Sequence, residues 1–471
     1  MSEHFDVVVV GAGAGGGVAA SRLSDDPARR VLLLEAGPDF PEEAEFPPGF
    51  VSGGHQFMYQ YAAEHDWGYW SEPLYGERPI RLPRGRLVGG STMTNAQMWV
   101  RAAPYDFDRW QANGAPSWSY DFADEHYRAV EREVYSRTYP RDTWQPAQLA
   151  YFDALRELGF RECEDMNAPD AWRGTIGATP INRRNEMRQG TLVTYVRKAR
   201  PRANFEVRGG HTVDRVLLDG TRATGVRAIG PDGRAHDIAA DVVVLAGGAY
   251  GSPAILMRSG IGPADHLRSL GIDVANELPV GDRLLDHAAF YWFLRAPELA
   301  RMKGPSVAMF ARCPDNDWFS LATTVDEVEG TIGLVFATCG DNESGAPFRL
   351  RSTDPLAPPI IPHRYDVEPL RSAERLVEQV LALPLFRDAE NLDAGRSLEE
   401  LARERIGTCY HVCGTTAIGQ VVDEQLRVLG CENLLVADAS VFPTEISNNT
   451  NMTSFMVGEV AARVLGAPAP A

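Results

Sequence analysis

An apolar run followed at once by a cluster of glycines opens the chain, in the stretch FDVVVVGAGAGGGVAASRLSDD. The apolar run is typical of a buried strand, and the residues after the glycines follow a helical pattern. Gly11, Gly13 and Gly16 satisfy the spacing G-x-G-x-x-G. Glycines at this spacing allow a tight turn, let a pyrophosphate approach the backbone N–H groups at the helix start, and let helix and strand pack closely. The stretch therefore favours a parallel α/β unit that binds a dinucleotide.

A carboxylate occupies the position at which a dinucleotide-binding site requires an acid. The next apolar run, VLLLEAGP, ends at Glu35. An acid about twenty residues after the glycines can accept hydrogen bonds from both ribose hydroxyls of an adenosine. A glycine turn with a purely structural role is the alternative, but the two flanking strands and the acid favour dinucleotide binding. Glu35 also disfavours a cofactor with a 2′-phosphate, because two anions repel each other.

Size and charge limit the architecture and the partners. A chain of 471 residues is too long for one compact core and predicts two or three structural units. With 46 basic and 64 acidic residues, the formal charge of −18 repels phosphate backbones and anionic lipid headgroups, so we expect neither nucleic acid nor a membrane as a partner. Six cysteines without a CxxC pair, no bilayer-length apolar run and no signal-peptide pattern predict a reducing, cytoplasmic setting.

A second glycine-rich segment, LPRGRLVGGSTMTNAQMWVR, has the kind of backbone that can lie flat against a planar ring or a phosphate. It resembles the second flavin-contacting segment of the glucose/methanol/choline (GMC) oxidoreductase family, whose pattern is approximately PRG-x-x-x-GGSS-x-x-N. The matching residues are Pro83, Arg84, Gly85, Gly89, Gly90, Ser91, Thr92 and Asn95. Some family members carry a histidine, bonded covalently to the flavin, just before that asparagine. This chain has Thr94 there, so the resemblance implies noncovalent FAD.

A third segment, VVVLAGGAYGSPAILMRSGIGPADHL, resembles the family signature GA-x-x-SP-x-LL-x-x-SGIGP. The matching residues are Ala249, Ser252, Pro253, Leu256, Ser259, Gly260, Ile261, Gly262 and Pro263. Independently of the family, the pattern predicts a buried strand, a glycine turn and a helix capped by Ser252 with Pro253 at its first position.

The remaining segments predict how the two units share the chain. FEVRGGHTVDRVLLDG and the residues after it predict a strand meander, in which the family's adenine contact falls near Val213. Alternating runs such as VAMFARC and IGLVFATC predict a second sheet. The resemblance implies an α/β fold, with a Rossmann-like FAD-binding domain interleaved with an α+β substrate domain on a mainly antiparallel sheet. We expect residues 1–135, 190–288 and 405–471 in the FAD-binding domain, and 136–189 and 289–404 in the substrate domain.

The stretch TCYHVCGTTAIG places a histidine between two cysteines. If it is extended, Cys409, His411 and Cys413 point to one side and could hold a metal, pack in a core or present a base. A zinc site would need a fourth ligand and bite angles that residues two apart on a strand rarely provide, so we expect no metal. A lone histidine in a strand is more often a core residue. The resemblance to the family pattern H-x-x-GT, here His411, Gly414 and Thr415, instead implies a catalytic base.

Two further family positions follow that histidine. In VVDEQLRVLGCENLLVADASVFP, Asp438 matches a residue that lies by the flavin's ribityl and pyrophosphate chain in the family. In TEISNNTNMTSFMVGEVAARVLG, an Asn-rich turn opens an amphipathic helix, where the family places a second catalytic residue. Alignment on the following T-S-F-M selects Asn451 over Asn448 or Asn449.

The chemistry of this pair fits alcohol oxidation. Removal of a hydride from an alcohol carbon requires loss of the hydroxyl proton, which an imidazole can accept, and a neutral amide can orient the oxygen. The resemblance implies oxidation of a primary or secondary alcohol to an aldehyde or ketone, with His411 as base, Asn451 as the orienting group, hydride transfer to flavin N5, and O2 or another electron acceptor. The alternative on the same scaffold is hydroxynitrile-lyase-type C–C cleavage, with structural FAD and His411 acting alone.

The resemblance also implies a set of contacts to FAD. These are expected at Gly11, Gly13, Ala14, Gly16, Glu35, Ala36, Arg84, Gly89, Gly90, Ser91, Asn95, Ala96, Val213, Gly247, Asp438, Ala439, Asn451, Met452 and Thr453. His287 in LLDHAAF matches a family D-H position, where a structural hydrogen bond is expected. The segment that contains His55 and His65 is expected to form a lid or pocket rim. Its aromatic residues suit either core packing or a substrate wall: Trp67, Tyr69 and Trp70.

Overall fold

Two β-sheets organise the fold. The computed structural model describes residues 3–47, 49, 63–74, 78–315, 317–339 and 347–468, so His55 of the expected rim lies outside the described residues. The strands are β1 (His4–Val10), β2 (Val31–Leu34), β3 (Tyr69–Trp70), β4 (Arg81–Leu82), β5 (Arg161–Cys163), β6 (Thr175–Ala178), β7 (Arg183–Arg184), β8 (Met187–Arg188), β9 (Phe205–Arg208), β10 (Thr212–Asp219), β11 (Arg222–Ile229), β12 (Ala235–Leu245), β13 (Ala288–Arg295), β14 (Met309–Arg312), β15 (Trp318–Asp326), β16 (Thr331–Thr338), β17 (Glu390–Asn391), β18 (Gly407–Thr408) and β19 (Leu434–Val436).

The helices pack on these sheets. They are α1 (Ala14–Leu23), α2 (Pro104–Ala112), α3 (Tyr120–Glu133), α4 (Pro146–Glu157), α5 (Gly248–Arg258), α6 (Ala264–Ser269), α7 (Glu368–Leu381), α8 (Leu398–Arg405) and α9 (Thr450–Val464). A π-helical turn, Leu192–Val196, leads into the single α-helical turn Arg197–Ala199. Among the described residues, no helix is both long enough and apolar enough to cross a bilayer.

The first sheet has the parallel core that the opening stretch predicts. Its strand order is β10-β11-β12-β1-β2-β9, and β19 pairs with β12. Strand β1 runs parallel to both of its neighbours, with Val8 opposite Leu32 on one side and Val243 on the other. These side chains are fully buried, as expected for a parallel sheet covered on both faces. The Rossmann-like half of the predicted fold is confirmed.

The second sheet is mainly antiparallel. Its order is β17-β13-β16-β15-β14-β6-β5, with β18 paired to β13, and β5–β6 is its one parallel pair among the described strands. Its strands come from residues 161–178, 288–338 and 390–408, whereas those of the first sheet come from 4–34, 205–245 and 434–436. The predicted interleaving of an α/β and an α+β unit is therefore confirmed. The residue boundaries given above stay a prediction.

The start of helix α5 differs from the sequence prediction. The helix begins at Gly248 rather than after Ser252, and Pro253 lies inside it. A proline at this point lacks the N–H group that would bond to the Ala249 carbonyl four residues earlier. The hydroxyl of Thr415 donates to that carbonyl instead, at 2.8 Å. The helix can include the proline because a residue from the H-x-x-GT segment satisfies the exposed acceptor.

A buried ionic cluster joins the first and last helices. Arg22 on α1 donates through Nε to Glu459 on α9 at 2.9 Å, and the Tyr195 hydroxyl donates to the same carboxylate at 2.7 Å. Arg22 Nη1 also reaches Glu133 on α3, at 3.2 Å. Burial would penalise each charge alone, and the close hydrogen-bonded partners offset that cost. The cluster therefore fixes how α1, α3 and α9 pack.

We predict that Glu459→Ala lowers the free energy of unfolding by about 3 to 5 kcal/mol, because it leaves Arg22 buried without its main counter-charge. The measurement is thermal and chemical unfolding of the flavin-loaded protein. Glu125→Ala is the matched control, since Glu125 forms a largely exposed pair with Arg463 at 3.8 Å and should cost less than about 1 kcal/mol. Equal losses in the two variants would contradict the role of the buried cluster.

Candidate active site

A cavity of about 680 Å³ lies where the two sheets meet. One side is formed by the residues that follow β1, β2, β12 and β19, at the carboxyl ends of the parallel strands. Residues of β13, β15 and β16 form the other side. In open parallel sheets, the carboxyl ends of the strands are where ligands bind. The cavity is therefore the candidate active site.

Most residues expected to contact FAD line this cavity. They are Gly11, Gly13, Ala14, Glu35, Ala36, Arg84, Gly90, Ser91, Asn95, Ala96, Val213, Gly247, Asp438, Ala439 and Asn451. The other four do not line it: Gly16, Gly89, Met452 and Thr453. A side chain at Gly16 would meet the Gly11 carbonyl oxygen at 1.9 Å, so this glycine serves the packing of helix on strand. The Thr453 hydroxyl bonds to the Tyr127 hydroxyl at 2.7 Å, and Met452 is buried in the core.

Two glycine loops bring bare backbone to one point of the cavity. Gly11 has φ +97°, in the region that favours glycine, and a Cβ there would lie 2.3 Å from the Ala246 carbonyl oxygen. Gly13 caps α1, and a Cβ on it would meet no atom within 4 Å. Gly90, from the second glycine-rich segment, approaches so closely that its Cβ would lie 2.9 Å from Gly13 Cα. This open cradle at a helix N-terminus fits the pyrophosphate of FAD.

Glu35 is held rigidly at the end of β2. One carboxylate oxygen accepts from the Ala12 N–H at 3.0 Å and the other from the Gly37 N–H at 2.9 Å. Burial raises the pKa of Glu35 to about 7, and the two backbone donors act against that rise. Because a carboxylate oxygen can accept more than one hydrogen bond, both oxygens keep capacity for ribose hydroxyls.

Asp438 connects β19 to the start of α5. One of its oxygens accepts from the Gly248 N–H at 2.8 Å and from the Ser252 hydroxyl at 2.6 Å. The other accepts from the Ser440 N–H at 2.8 Å. Ser252 therefore does not cap α5 as the sequence suggested, and Asp438 instead places its carboxylate at the helix N-terminus. Burial raises the pKa of Asp438, and these donors oppose the rise.

Arg84 links the flavin-type segment to the segment that carries His411. Its backbone N–H donates to Asp66 at 2.7 Å, and its Nη1 donates to the Tyr410 carbonyl at 2.8 Å. Tyr410 has φ +64°, an uncommon conformation for a residue with a side chain. An arginine expected only as a cofactor contact thus also stabilises a strained residue next to the candidate base.

The left-handed turn at Tyr410 overturns the extended arrangement considered for residues 409–413. Strand β18 ends at Thr408, and the chain then turns, so the side chains do not alternate as on a strand. Cys409 and His411 line the cavity, whereas Cys413 is buried away from it and pairs with Leu285. No group of three or more His, Cys, Asp or Glu side chains suited to a metal ion occurs in the described part of the chain.

Asp286 anchors this turn from behind. Its Oδ1 accepts from the His411 N–H at 2.8 Å, and its Oδ2 accepts from the Thr408 hydroxyl and from the Tyr365 hydroxyl at 2.9 Å. Asp286 is 2% exposed. Three donors on one buried carboxylate compensate its desolvation and hold the backbone of His411 in place.

The contacts of the His411 ring favour one tautomer. Asn449 Nδ2, which can only donate, lies 2.9 Å from His411 Nε2, so this nitrogen is the acceptor. Nδ1 therefore carries the hydrogen and donates to His287 Nδ1, 2.9 Å away. His287 then carries its hydrogen on Nε2, which lies 3.7 Å from Glu445 Oε2. The His411 lone pair is held at Nε2, the nitrogen that faces Asn449, another cavity residue.

Both imidazoles are neutral. Burial lowers the pKa of His411 well below its ordinary value of 6.5, and the neighbouring His287 and Arg84 lower it further. Burial also lowers the pKa of His287 to about 4. A neutral imidazole with its lone pair at Nε2 can accept a proton without first losing one.

The three asparagines at the start of α9 have different surroundings: Asn448 precedes the helix, Asn449 caps it and Asn451 lies in its first turn. Asn448 accepts from Arg312 Nε at 3.2 Å and donates to the Arg101 carbonyl at 2.9 Å, away from the cavity. Asn449 and Asn451 both line the cavity. Asn451 Nδ2 is buried and has no hydrogen-bond partner among the described residues. A buried amide donor without a partner is costly, so a bound ligand is its natural acceptor.

Sequence reasoning missed three parts of this site. It assigned His287 a structural hydrogen bond, and the partner of that bond is the ring of His411. It named neither Asp286 as an anchor nor Asn449 as a contact of the base. The Asp-His dipeptide in LLDHAAF is the one signal that could have indicated the first two.

Comparisons with known proteins agree with this geometry. Two family profiles, both described as GMC oxidoreductase, match residues 5–289 and 343–458. The chain is 30% identical over 548 residues to the mitochondrial choline dehydrogenase of Homo sapiens, covering 99% of this chain and 91% of that one. It is 30% identical over 536 residues to the oxygen-dependent choline dehydrogenase of Sinorhizobium medicae, covering 98% and 95%. Pyridoxine 4-oxidase from Mesorbium loti superposes with a TM-score of 0.88 at 25% identity, over 98% of each chain.

The chain therefore belongs to the GMC oxidoreductase family. It is an FAD-dependent oxidoreductase that acts on CH–OH groups. Membership of this family implies a small-molecule substrate and an electron acceptor.

We predict that Gly90→Ala weakens FAD binding about 10- to 100-fold, because the added methyl group both strains a left-handed residue and enters the cradle. The measurement is the flavin content of the purified protein and the concentration of FAD needed to restore it. Gly159→Ala is the control: Gly159 has φ +93° with no atom within 4 Å of its Cβ, so the backbone strain is similar but lies outside the cavity. A normal flavin content in Gly90→Ala would contradict the cradle.

Proposed function

We propose that this protein oxidises a primary or secondary alcohol to an aldehyde or ketone, with His411 as the general base and Asn451 as the group that orients the hydroxyl. The observation that carries the proposal is the position of the His411 ring between His287 and Asn449, which favours one tautomer. Its Nδ1–H is held by His287 and its Nε2 lone pair is presented beside a second, unpartnered amide in the same cavity.

Bound FAD supplies the hydride acceptor. We propose that Gly11, Gly13 and Gly90 hold its pyrophosphate and Glu35 its adenosine ribose, with Asp438 beside the flavin's ribityl and pyrophosphate chain. Thr94 stands where some relatives carry a histidine linked to the flavin, and threonine offers no comparable nucleophile, so binding is noncovalent.

The proton of the alcohol goes to His411 Nε2. In the resting site Asn449 Nδ2 donates to this nitrogen, so the substrate hydroxyl takes the place of that amide. A buried imidazole of lowered pKa does not deprotonate a resting alcohol, and it accepts the proton as the carbon–hydrogen bond breaks and the hydroxyl becomes acidic. The imidazolium that forms keeps its Nδ1–H on His287, whose other nitrogen faces Glu445 at 3.7 Å.

Asn451 orients the substrate. Its amide N–H can donate to the alcohol oxygen and so turn the hydroxyl hydrogen towards His411. Because an amide does not titrate, it does not compete for the proton. The two tasks are therefore separate: His411 accepts the proton, and Asn451 positions the alcohol oxygen.

We predict that His411→Ala lowers the rate of anaerobic flavin reduction about 10²- to 10⁴-fold while the protein stays yellow. The measurement is stopped-flow bleaching of the flavin with benzyl alcohol, pyridoxine and choline, and each can reduce the wild-type flavin only if it is a substrate. His236→Ala, outside the cavity, is the control. A fully active His411→Ala variant would contradict the base. Cleavage of a cyanohydrin without any bleaching would instead support the lyase alternative.

A second experiment separates the two amides. Asn451→Ala should lower the rate of flavin reduction about 10- to 100-fold, since orientation of the hydroxyl is lost. Asn449→Ala should retain most of the rate, because the substrate replaces this amide on His411. The two residues lie two positions apart at the N-terminus of α9, so each variant controls for the other. The reverse order of effects would move the orienting role to Asn449.

A further inference from the structure

The wall of the cavity beside His411 is one face of the second sheet. The strand register arranges the side chains of this face in rows that run across the strands. In the first row Ala337 of β16 lies opposite Ala289 of β13 and Phe319 of β15. In the second row Val335 lies opposite Tyr291 and Leu321. All six side chains line the cavity.

The first row is adjacent to the base. The Phe319 ring lies 6.0 Å from the His411 ring, centroid to centroid. On the other side, β18 pairs with β13 through Gly407 and Ala289, only four residues before His411. The two alanines of this row present only methyl groups next to Phe319, so the row offers a small, apolar surface to a bound group. The second row begins about 7 Å farther along the strands.

This wall is uncharged. Among the described residues that line the cavity, the carboxylates are Glu35, Asp66 and Asp438. Glu35 and Asp438 follow strands of the first sheet, and Asp66 pairs with Arg81 at 2.8 Å. None of them belongs to the sheet face beside His411.

On the cavity side, the charged side chains that bind the loop of residues 405–411 are cations, whereas the carboxylate of Asp286 binds the loop from behind and does not line the cavity. Arg78 donates to the Ile406 carbonyl at 2.6 Å, and Arg84 donates to the Tyr410 carbonyl at 2.8 Å. Neither of these hydrogen bonds neutralises its guanidinium. In addition, His411 itself becomes positive when it accepts the substrate proton. A cationic substrate at this wall would therefore meet like charge both at rest and during the reaction.

Aromatic rings could in principle replace a carboxylate in binding a quaternary ammonium. The two rings of this face are not placed to do so. Phe319 and Tyr291 are on β15 and β13, with β16 between them, so they stand roughly 9 to 10 Å apart and are also offset along the strands. An aromatic cage encloses its cation from several sides at about 6 Å, which this arrangement does not provide.

We propose, on the basis of the function proposed above, that the substrate is an uncharged alcohol whose apolar group, aryl or branched alkyl, packs on the row of Ala289, Ala337 and Phe319. The carbinol carbon then lies between that row and His411. Choline, the substrate named for two of the relatives, is excluded by its charge rather than by its size. Burial of the apolar group supplies affinity, and a trimethylammonium at the same place would lose its hydration without gaining a partner.

The decisive test compares two alcohols of nearly the same shape. Choline and 3,3-dimethylbutan-1-ol differ in that a quaternary nitrogen replaces a quaternary carbon. We expect the second-order rate of anaerobic flavin reduction to be at least about 10-fold higher for the neutral isostere, and benzyl alcohol to exceed its 4-carboxylate derivative likewise. Equal rates, or a preference for choline or for the carboxylate, would overturn the proposal.

Binding separates this inference from the proposed function. The flavin-loaded His411→Ala variant is titrated calorimetrically with the same alcohols. Tighter binding of 3,3-dimethylbutan-1-ol than of choline, together with flavin reduction as fast in His411→Ala as in the wild type, would overturn the proposed base and leave the neutral subsite standing. Equal or tighter binding of choline would refute the subsite whatever the activity.

Variants at position 337 locate the subsite. Ala337→Phe should lower the rate with benzyl alcohol about 10- to 100-fold and change the rate with ethanol little, since only the larger group packs on the row that contains Ala337. Ala337→Val should give a smaller loss and guards against misfolding of the larger variant, with flavin content as the check. Val325→Phe, on an exposed part of β15, is the control. Equal losses for benzyl alcohol and ethanol would place the apolar group elsewhere.

Discussion

Hydrogen bonds to the buried carboxylate of Asp286 determine where His411 can stand. This carboxylate accepts from the His411 backbone, from the Thr408 hydroxyl and from Tyr365. Between the first two lies Tyr410, whose positive φ costs about 1 to 3 kcal/mol and persists only where the surroundings enforce it. Arg84 supplies the second constraint from the cofactor side. The loop is therefore fixed at the Tyr410 carbonyl and at the His411 N–H. The backbone that carries the imidazole has little freedom to move.

Two neighbouring imidazoles in a dry interior impose a further condition. A single hydrogen bond joins the Nδ1 atoms of His411 and His287. Because both rings are buried away from water, a charge on either ring is costly. The resting pair is neutral, and in the proposed reaction the single positive charge forms on the His411 ring when Nε2 accepts the proton. A site of this kind works best if the substrate brings no charge of its own. Both the uncharged sheet face beside Phe319 and the neutral histidine pair therefore favour an uncharged substrate.

The sequence predicted the parts of this protein that depend on local pattern. The glycine spacing at Gly11 and Gly13, the buried strands on either side and the acid at Glu35 all follow from residue type and distance along the chain. The interleaving of the two domains was implied by the resemblance to the GMC family. Contacts between segments that lie far apart along the chain could not be predicted from the sequence. Ser252 and Pro253 look like a helix start, because no local signal shows that Thr415 satisfies the carbonyl that the proline leaves free.

Helix α9 connects the buried ionic cluster in the core to the candidate active site. Asn449 caps helix α9, and Asn451 lies in its first turn. Eight residues after Asn451, about 12 Å along the axis, Glu459 binds Arg22 of α1. Helix α1 in turn begins at Gly13, in the pyrophosphate cradle. The two helices approach so closely that a side chain at Gly458 would lie 2.5 Å from the Gly15 carbonyl oxygen. Neither helix can slide past the other without breaking a buried ion pair. The distance between the cofactor cradle and the two cavity asparagines is therefore set inside the core.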